Sequence, residues 1–284
     1  MAGPGRPVGR AEVEAPARAT QSLARGLAVL DAFKQGADDM GITEIARTTG
    51  LKVSTVHRIV RTLVTCGYVE QNSFNDRYRL GVSAVLLGEI AGRHSGLNRA
   101  VPELEALRDR TGEAVNLGVR DGTQAVVLVR IECKNPLRFE QPAGSRIPLQ
   151  VSAMGKTLLA FGPEDLVTAL GSLPAPRRFT ERTRIKRADI LKDLQVTKER
   201  GYGLNDEERD LGVRSIGAPI RDRDGIAYAA ISLQGPTVRI TAERIEELAS
   251  DVKKTADTVS GVLRARHSET RHSKNADLPV SLRG

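Results

Sequence analysis

The stretch between Gly50 and Gly67 leaves few folds open to this chain. After Val53 its apolar residues recur at Val56, Ile59, Val60, Leu63 and Val64, the i, i+3, i+4, i+7, i+8 stripe of a helix buried along one side. The other side carries Ser54, Thr55, His57, Arg58 and Arg61, and residues 51–65 hold three Lys or Arg and no carboxylate. A cationic face with short hydroxyl donors suits a DNA major groove: hydroxyls set the docking on phosphates, and Arg58 and Arg61 have the reach for a bidentate contact with a guanine edge. Upstream, a short helical signal at residues 43–47 is closed by Gly50, the residue that most readily adopts the left-handed backbone ending a helix. Downstream, residues 68–71 and 77–80 read as strands around a polar turn at 72–76. Together these make a winged helix-turn-helix, with Arg25, Thr43, Ser54, Thr55, His57, Arg58, Arg61, Arg77 and Arg79 as candidate DNA contacts. A plain helical hairpin with solvated charges shares the two-helix pattern; the basic helix followed by a hairpin is what favours DNA.

The 284 residues leave room for two domains, and 40% hydrophobic residues can build two cores. A net charge of +8 favours a polyanionic partner, although surplus charge also serves solubility. Cys66 and Cys133 stand far apart, and His57, His94, His267 and His272 are scattered, so neither a disulfide framework nor a zinc site can be assembled. No metal or cofactor is expected. No apolar run reaches the ~18 residues of a membrane span, and the N-terminus lacks the apolar core of a signal peptide. A soluble protein of a reducing cytoplasm, away from membranes, is the expectation.

Residues 1–20 are Pro, Gly, Ala and Arg with few large apolar side chains, and read as a disordered arm. Order is expected from Ser22, where Leu23, Leu27, Val29, Leu30 and Phe33 form a stripe to pack under the helix-turn-helix. Val85, Leu86, Ile90 and Ala91 then fall at helical spacing up to Gly92. A second domain begins near Leu97 with a helix carrying Val101, Leu104 and Leu107. Asp121-Gly122 and Asp224-Gly225 are hairpin turns between strand runs at 114–119 and 125–129, and at 216–220 and 226–233. With helical segments at 152–161, 187–200 and 241–262, this is an α+β domain around an antiparallel sheet, followed by a disordered basic tail at 265–284.

Several of these motifs, in this order and spacing, resemble the IclR-type family of bacterial transcriptional regulators. They are the run 22–33, Ile42-Thr43-Glu44-Ile45-Ala46, Ser54-Thr55-Val56-His57-Arg58 and Tyr78-Arg79-Leu80-Gly81 in the first half. The second half adds Gly144-Ser145-Arg146-Ile147-Pro148-Leu149, Ser152-Ala153-Met154-Gly155-Lys156, Arg200-Gly201-Tyr202 and Ala218-Pro219-Ile220. The resemblance implies a DNA-binding domain over 21–81, a linker helix over 82–96 acting as a lever, and a GAF-like effector-binding and oligomerisation domain over 97–264.

A ligand pocket is expected beside the sheet. Residues 148–155 run from an extended segment into a helix, so the amides near Ala153 and Met154 lie at a helix N-terminus, where anions bind. The resemblance implies that Asn205, Val213, Ser215, Ser232 and Gln234 complete an effector site there. Several relatives that bind small carboxylates carry Asp, Cys and Ser where this chain has Asn205, Ser215 and Gln234, and the amide and hydroxyl here can both donate to a carboxylate. Arg130, Arg138 and Arg146 are further cations able to balance an anion.

Enzyme signatures are weak. Gly155-Lys156-Thr157 suggests a phosphate loop, but Gln150 stands where such a loop needs its first glycine, and neither G-x-S-x-G nor H-E-x-x-H occurs. The expected protein is a ligand-responsive transcription regulator, a homodimer or tetramer on a pseudo-palindromic operator. Its expected effector is a small organic acid, aromatic acids and their breakdown products included, and RNA polymerase at the promoter is a further expected partner. Three alternatives stay open: an architectural DNA binder without ligand response, an adaptor using the winged helix for protein contact, and a small-molecule-modifying enzyme.

Overall fold

The computed structural model describes residues 18–35 and 39–273. The chain divides into two units, Met1–Gly88 and Glu89–Gly284. The expected disordered arm falls, up to residue 17, outside the described residues.

In the first unit three helices, α1 (Arg18–Ala32), α2 (Ile42–Thr49) and α3 (Val53–Thr65), precede a hairpin of β1 (Val69–Gln71) and β2 (Tyr78–Leu80). The hairpin register runs from Val69 opposite Leu80 to Gln71 opposite Tyr78. Glu44 starts α2 by accepting the Gly41 N–H at 2.9 Å, and Gly50 ends it with φ 68°, the left-handed value a β-carbon disfavours. Val29, Phe33, Met40, Ile45, Val56, Val60, Val69 and Tyr78 close a single small core. Two expectations shift here. Helix α1 begins at Arg18 rather than Ser22, and its stripe is only half used: Val29 and Phe33 are buried, whereas Leu23 and Leu27 stay 63% and 53% exposed.

Helix α4 (Val82–Ser95) carries the chain from one unit into the next. It runs on through Gly92, where the sequence pattern suggested an end; one interior glycine costs about 1 kcal/mol against alanine, too little to stop a helix.

The second unit is built on a curled, six-stranded antiparallel sheet in the order β5-β4-β3-β8-β7-β6. Its strands are β3 (Ala114–Asp121), β4 (Gln124–Ile131), β5 (Arg146–Pro148), β6 (Gly203–Asp206), β7 (Val213–Arg221) and β8 (Ala227–Pro236). Side chains alternate across β7 and β8. Ile216, Ala218, Ile220, Ile231 and Leu233 face a core shared with α5 (Leu97–Thr111) and α9 (Ile245–Ser273). The opposite face meets α6 (Ala153–Ala160), which packs with α7 (Leu166–Gly171) and α8 (Arg187–Arg200). Covered on both sides, these two strands are buried along nearly their whole length. Helix α6 lies unusually close to the sheet: a β-carbon at Gly217 would stand 2.8 Å from the Ala153 carbonyl. Thr157 fixes the approach by donating to the Ala153 and Gly217 carbonyls at 2.8 and 3.0 Å.

Two expectations change in this unit, and two short strands are added. A 3-10 turn at Leu149–Val151 separates β5 from α6, so residues 148–155 are not a straight run into the helix. The edge strands β5 and β6, of 3 and 4 residues, carried no alternation to mark them. Helix α9 starts at Ile245 and continues to Ser273, so the segment expected as tail from residue 265 is helical that far; residues 274–284 lie outside the described residues.

Candidate DNA interface and ligand pocket

Helix α3 presents one exposed concave strip of Ser54, His57, Arg58, Arg61, Thr62 and Thr65. The Thr62 and Thr65 hydroxyls donate back to the carbonyls of Arg58 (3.2 Å) and Arg61 (3.0 Å), which rules them out as free donors. Arg58 and Arg61 have no carboxylate partner among the described residues. Their guanidinium groups stay available. Ser54 is exposed and Thr55 half-buried in the first turn, Thr43 is exposed on α2, and Arg25 is half-buried on α1.

The two wing arginines have a different setting. Arg79 is paired with Glu70 across the hairpin. Arg77 is taken up by the fold: it reaches the Asp39 carboxylate at 2.5 Å, the Asp39 carbonyl at 3.0 Å and Glu44 at 2.7 Å. Hydrogen bonds from Arg77 and then Asn75 hold the Asp39 carboxyl below the usual carboxylate range. The Gly41 N–H, followed by the Arg77 charge, does the same for Glu44. These bonds tie Arg77, one of the candidate DNA contacts, into the fold of the first unit. The wing tip also presents Phe74, 97% exposed, which the sequence pattern did not single out.

In the second unit, Ala153, Met154, Asn205, Ser215, Ser232 and Gln234 line one cavity together with Gln141, Ile147, Ser152, Arg209 and Asp210. Val213, expected with them, is not part of the wall. Its backbone closes the base of the 207–212 loop, accepting the Glu207 N–H at 3.1 Å and donating to the Asp210 carbonyl at 3.3 Å. The cavity leaves a water's centre about 10 Å³ to move in, room for roughly one water.

The polar groups of this wall are oriented by what lies behind them. Ser152 caps α6, its Oγ accepting the Gly155 N–H at 3.0 Å and its carbonyl the Lys156 N–H at 2.9 Å. The amides of Ala153 and Met154, at the helix start, are left without an intrahelical acceptor. Asn205 Oδ1 accepts the Glu208 N–H at 3.0 Å, and Gln234 Oε1 accepts Asn116 Nδ2 at 3.4 Å. With both oxygens engaged, both side-chain amides keep their NH2 ends to donate. Behind Gln234, Arg130 reaches Asn116 Oδ1 at 3.5 Å, and burial pushes its guanidinium below the ordinary arginine value.

None of the three arginines expected to balance an anion is in the wall. Arg130 is anchored to the carbonyls of Phe139 (2.6 Å) and Gln141 (3.2 Å), Arg146 pairs with Asp121 at 2.7 Å, and Arg138 lies 3.7 Å from Glu140. The cation that lines the cavity is Arg209. It lies 3.0 Å from Asp210 and donates to Gln141 Oε1 at 3.2 Å. Proximity to Asn205 was a usable signal for Arg209 and Asp210; nothing in the sequence marked Gln141, which reaches the cavity from an irregular segment.

Among the described residues no group of His, Cys, Asp and Glu is placed to hold a metal ion, and no helix is long and apolar enough to cross a membrane. Residues 22–73 match the IclR helix-turn-helix domain, and residues 91–261 match the bacterial transcriptional regulator IclR C-terminal family. The transcriptional repressor IclR of Escherichia coli (strain K12) is 34% identical over 258 residues, covering 89% of this chain and 94% of that protein. The HTH-type transcriptional regulator BhcR of Paracoccus denitrificans (strain Pd 1222) is 37% identical over 242 residues, 84% and 86% of the two chains. Among solved structures, an IclR homolog from Microbacterium hydrocarbonoxydans complexed with 4-hydroxybenzoate is similar with a TM-score of 0.74 at 26% identity, covering 86% of this chain and 99% of its own.

Proposed function

The chain belongs to the IclR family of bacterial DNA-binding transcriptional regulators, and from that premise we propose that it is switched by a small organic acid held in the cavity between α6 and the sheet. The observation that carries this reading is the donor set. The α6 amides at Ala153 and Met154, the NH2 ends of Asn205 and Gln234, and the hydroxyls of Ser215 and Ser232 converge on one small space. Neutral donors aimed inward suit a carboxylate, and a helix start adds its positive end. The wall holds no aromatic side chain among the described residues, which favours a compact acid over an aromatic one; with room for roughly one water, even a compact acid requires the walls to part. The Microbacterium homolog binds 4-hydroxybenzoate. A ring of that size requires these walls to part.

For DNA, the free cations of α3 support its entry into the major groove, with Arg58 and Arg61 on base edges and Ser54, Thr55, His57, Thr43 and Arg25 on the phosphate side. Arg77 is left out of this set. Leu23 and Leu27 on α1 and Val82, Val85, Leu86 and Leu87 on α4 are all more than half exposed, an apolar surface that supports a homodimer or higher oligomer and hence a pseudo-palindromic operator. The protein acts where its operator lies, in the cytoplasm, with RNA polymerase at the same promoter. The relatives are regulators rather than enzymes, and the enzyme alternative is set aside.

Footprinting on the DNA upstream of its own gene, at two salt concentrations and with a panel from pyruvate to 4-hydroxybenzoate, tests both halves. A protected inverted repeat that weakens with salt and responds to one acid is the expected result. Ser215→Leu fills the cavity and should abolish that response while leaving the protection. Protection blind to sequence refutes the operator, and a normal dose response in Ser215→Leu refutes the pocket.

A further inference from the structure

Four charged side chains meet beneath the cavity, and the function as described makes no use of them. Lys156, on α6, is fully buried. Its Nζ donates to the Leu204 carbonyl at 2.9 Å and to the Glu208 carboxylate, and lies 2.6 Å from Asp193 Oδ2 on α8. Arg184 approaches from the other side, 2.7 Å from Glu208 Oε1 and 3.7 Å from Asp193 Oδ1. Two cations balance two carboxylates. A buried cluster of this kind is seldom more stable than apolar packing of the same volume, so its contribution is sought in the geometry it imposes.

What it joins is specific. Lys156 stands one turn along α6 from the amides that line the cavity, and Glu208 sits in the 207–212 loop, whose Arg209 and Asp210 form the facing wall. Glu208 also donates its N–H to Asn205 Oδ1, fixing the donor end of a cavity residue. The loop leaves β6, an edge strand with a neighbour on one side only, whereas β7 and β8 are held on both.

The same loop is also strained and strapped. Glu207 has φ 59°, a left-handed conformation that a β-carbon disfavours. Thr180 and Thr183 donate to the carbonyls of Glu207 (2.7 Å) and Glu208 (2.6 Å), and Arg182 lies 3.2 Å from Asp206 and 3.0 Å from Glu207. Glu208 Oε2, though buried, has no hydrogen-bond partner. Strain on one residue and an unsatisfied oxygen on the next mark a loop held in place by its ties rather than by its own preference.

We propose that Lys156 and Glu208 are positioning residues, a buried latch that holds the 207–212 loop shut against α6 and so sets Asn205, Arg209 and Asp210 around the cavity. That these residues then meet an acid rests on the function proposed above; the latch itself does not. Amide hydrogen exchange on the full-length protein, without added ligand, tests it. Glu208→Gln keeps the volume and removes the charge, and should speed exchange across residues 205–212 by about tenfold or more, while β7 and β8 stay within about twofold of wild type. Lys156→Met should loosen the same segment. The double variant should be no looser than Lys156→Met alone, because the two groups act through each other. Should Lys156→Met fail to fold, Glu208→Gln carries the test by itself. In Glu208→Gln, unchanged exchange in the loop, or an equal rise throughout the sheet, overturns the proposal. An acid panel without response would leave these rates where they are, so failure of the ligand reading and failure of the latch are told apart.

Discussion

The cations of the two units have opposite settings. On α3, Arg58 and Arg61 face solvent with no carboxylate partner among the described residues, on a helix that itself contains none. In the second unit prominent cations are matched inside the fold: buried Lys156 with Asp193 and Glu208, buried Arg214 with Asp206 at 2.6 Å, and half-buried Arg239 with a Glu113 that is 1% exposed. The same residue types serve recognition in one place and internal geometry in the other. What decides between them is the company each charge keeps. A net charge of +8 therefore says little by itself; its distribution carries the information.

The sharpest way to break this comparison is to remove one cation of each kind. Lys156→Met strands two buried carboxylates with only Arg184 to offset them, and should destabilise the second unit by about 3–5 kcal/mol. Lys52→Met, at the exposed start of α3, should stay within about 0.5 kcal/mol. Urea unfolding followed by far-UV circular dichroism checks both. Equal effects would mean that Arg184 alone neutralises the cluster, and the contrast between the units would be lost.

The same contrast explains what could be read from the sequence. The helix-turn-helix is assembled from neighbours: a 3.6-residue period, a terminating glycine and a hairpin signal lie within forty or so residues, and each acts over one turn. What its sequence leaves out comes from distance. Arg77 reads as a candidate DNA contact because the partners that tie it to the fold, Asp39 and Glu44, lie 38 and 33 residues away. Leu23 and Leu27 fit the α1 stripe, yet the helices they would cover are already closed by Val29 and Phe33. The cavity is a long-range object. Ser215, Ser232 and Gln234 sit on the α6-facing parity of β7 and β8, and family resemblance singled them out, but Gln141 converges on them from an irregular segment without any periodicity. Lys156 was noticed as part of a failed phosphate motif, and only the fold shows that it lies beneath the cavity.

A smaller but more specific effect sharpens the α3 side. Arg58→Ala should cost about 1–3 kcal/mol of operator affinity and relax preference at one base pair, without changing stability beyond about 0.5 kcal/mol. Gel shifts against a set of single-base operator variants would read both. Unchanged affinity and preference would move Arg58 to the class of solvated surface charge and leave Arg61 as the remaining base reader.

The least effect on DNA is expected from Arg77, the cation that the comparison moves from one class to the other. Asp39 and Glu44 are held below their ordinary values of 3.8 and 4.5, by the Arg77 hydrogen bond in the first case and by the Gly41 N–H, then Arg77, in the second. A depressed carboxyl stabilises the fold fully above its unfolded value and loses that contribution as pH falls through the folded one. Wild type should therefore melt above Arg77→Gln by a constant margin from pH 7 down to about 5, and the margin should shrink below about pH 4 as the carboxyls protonate. Thermal melts across that range test the sign. Operator binding supplies the second arm: if Arg77 belongs to the fold, Arg77→Gln leaves the slope of log affinity against log salt unchanged, whereas a lost phosphate contact lowers it by about one. A pH-independent margin together with a reduced slope would return Arg77 to the DNA face and place both classes of cation on the same small unit.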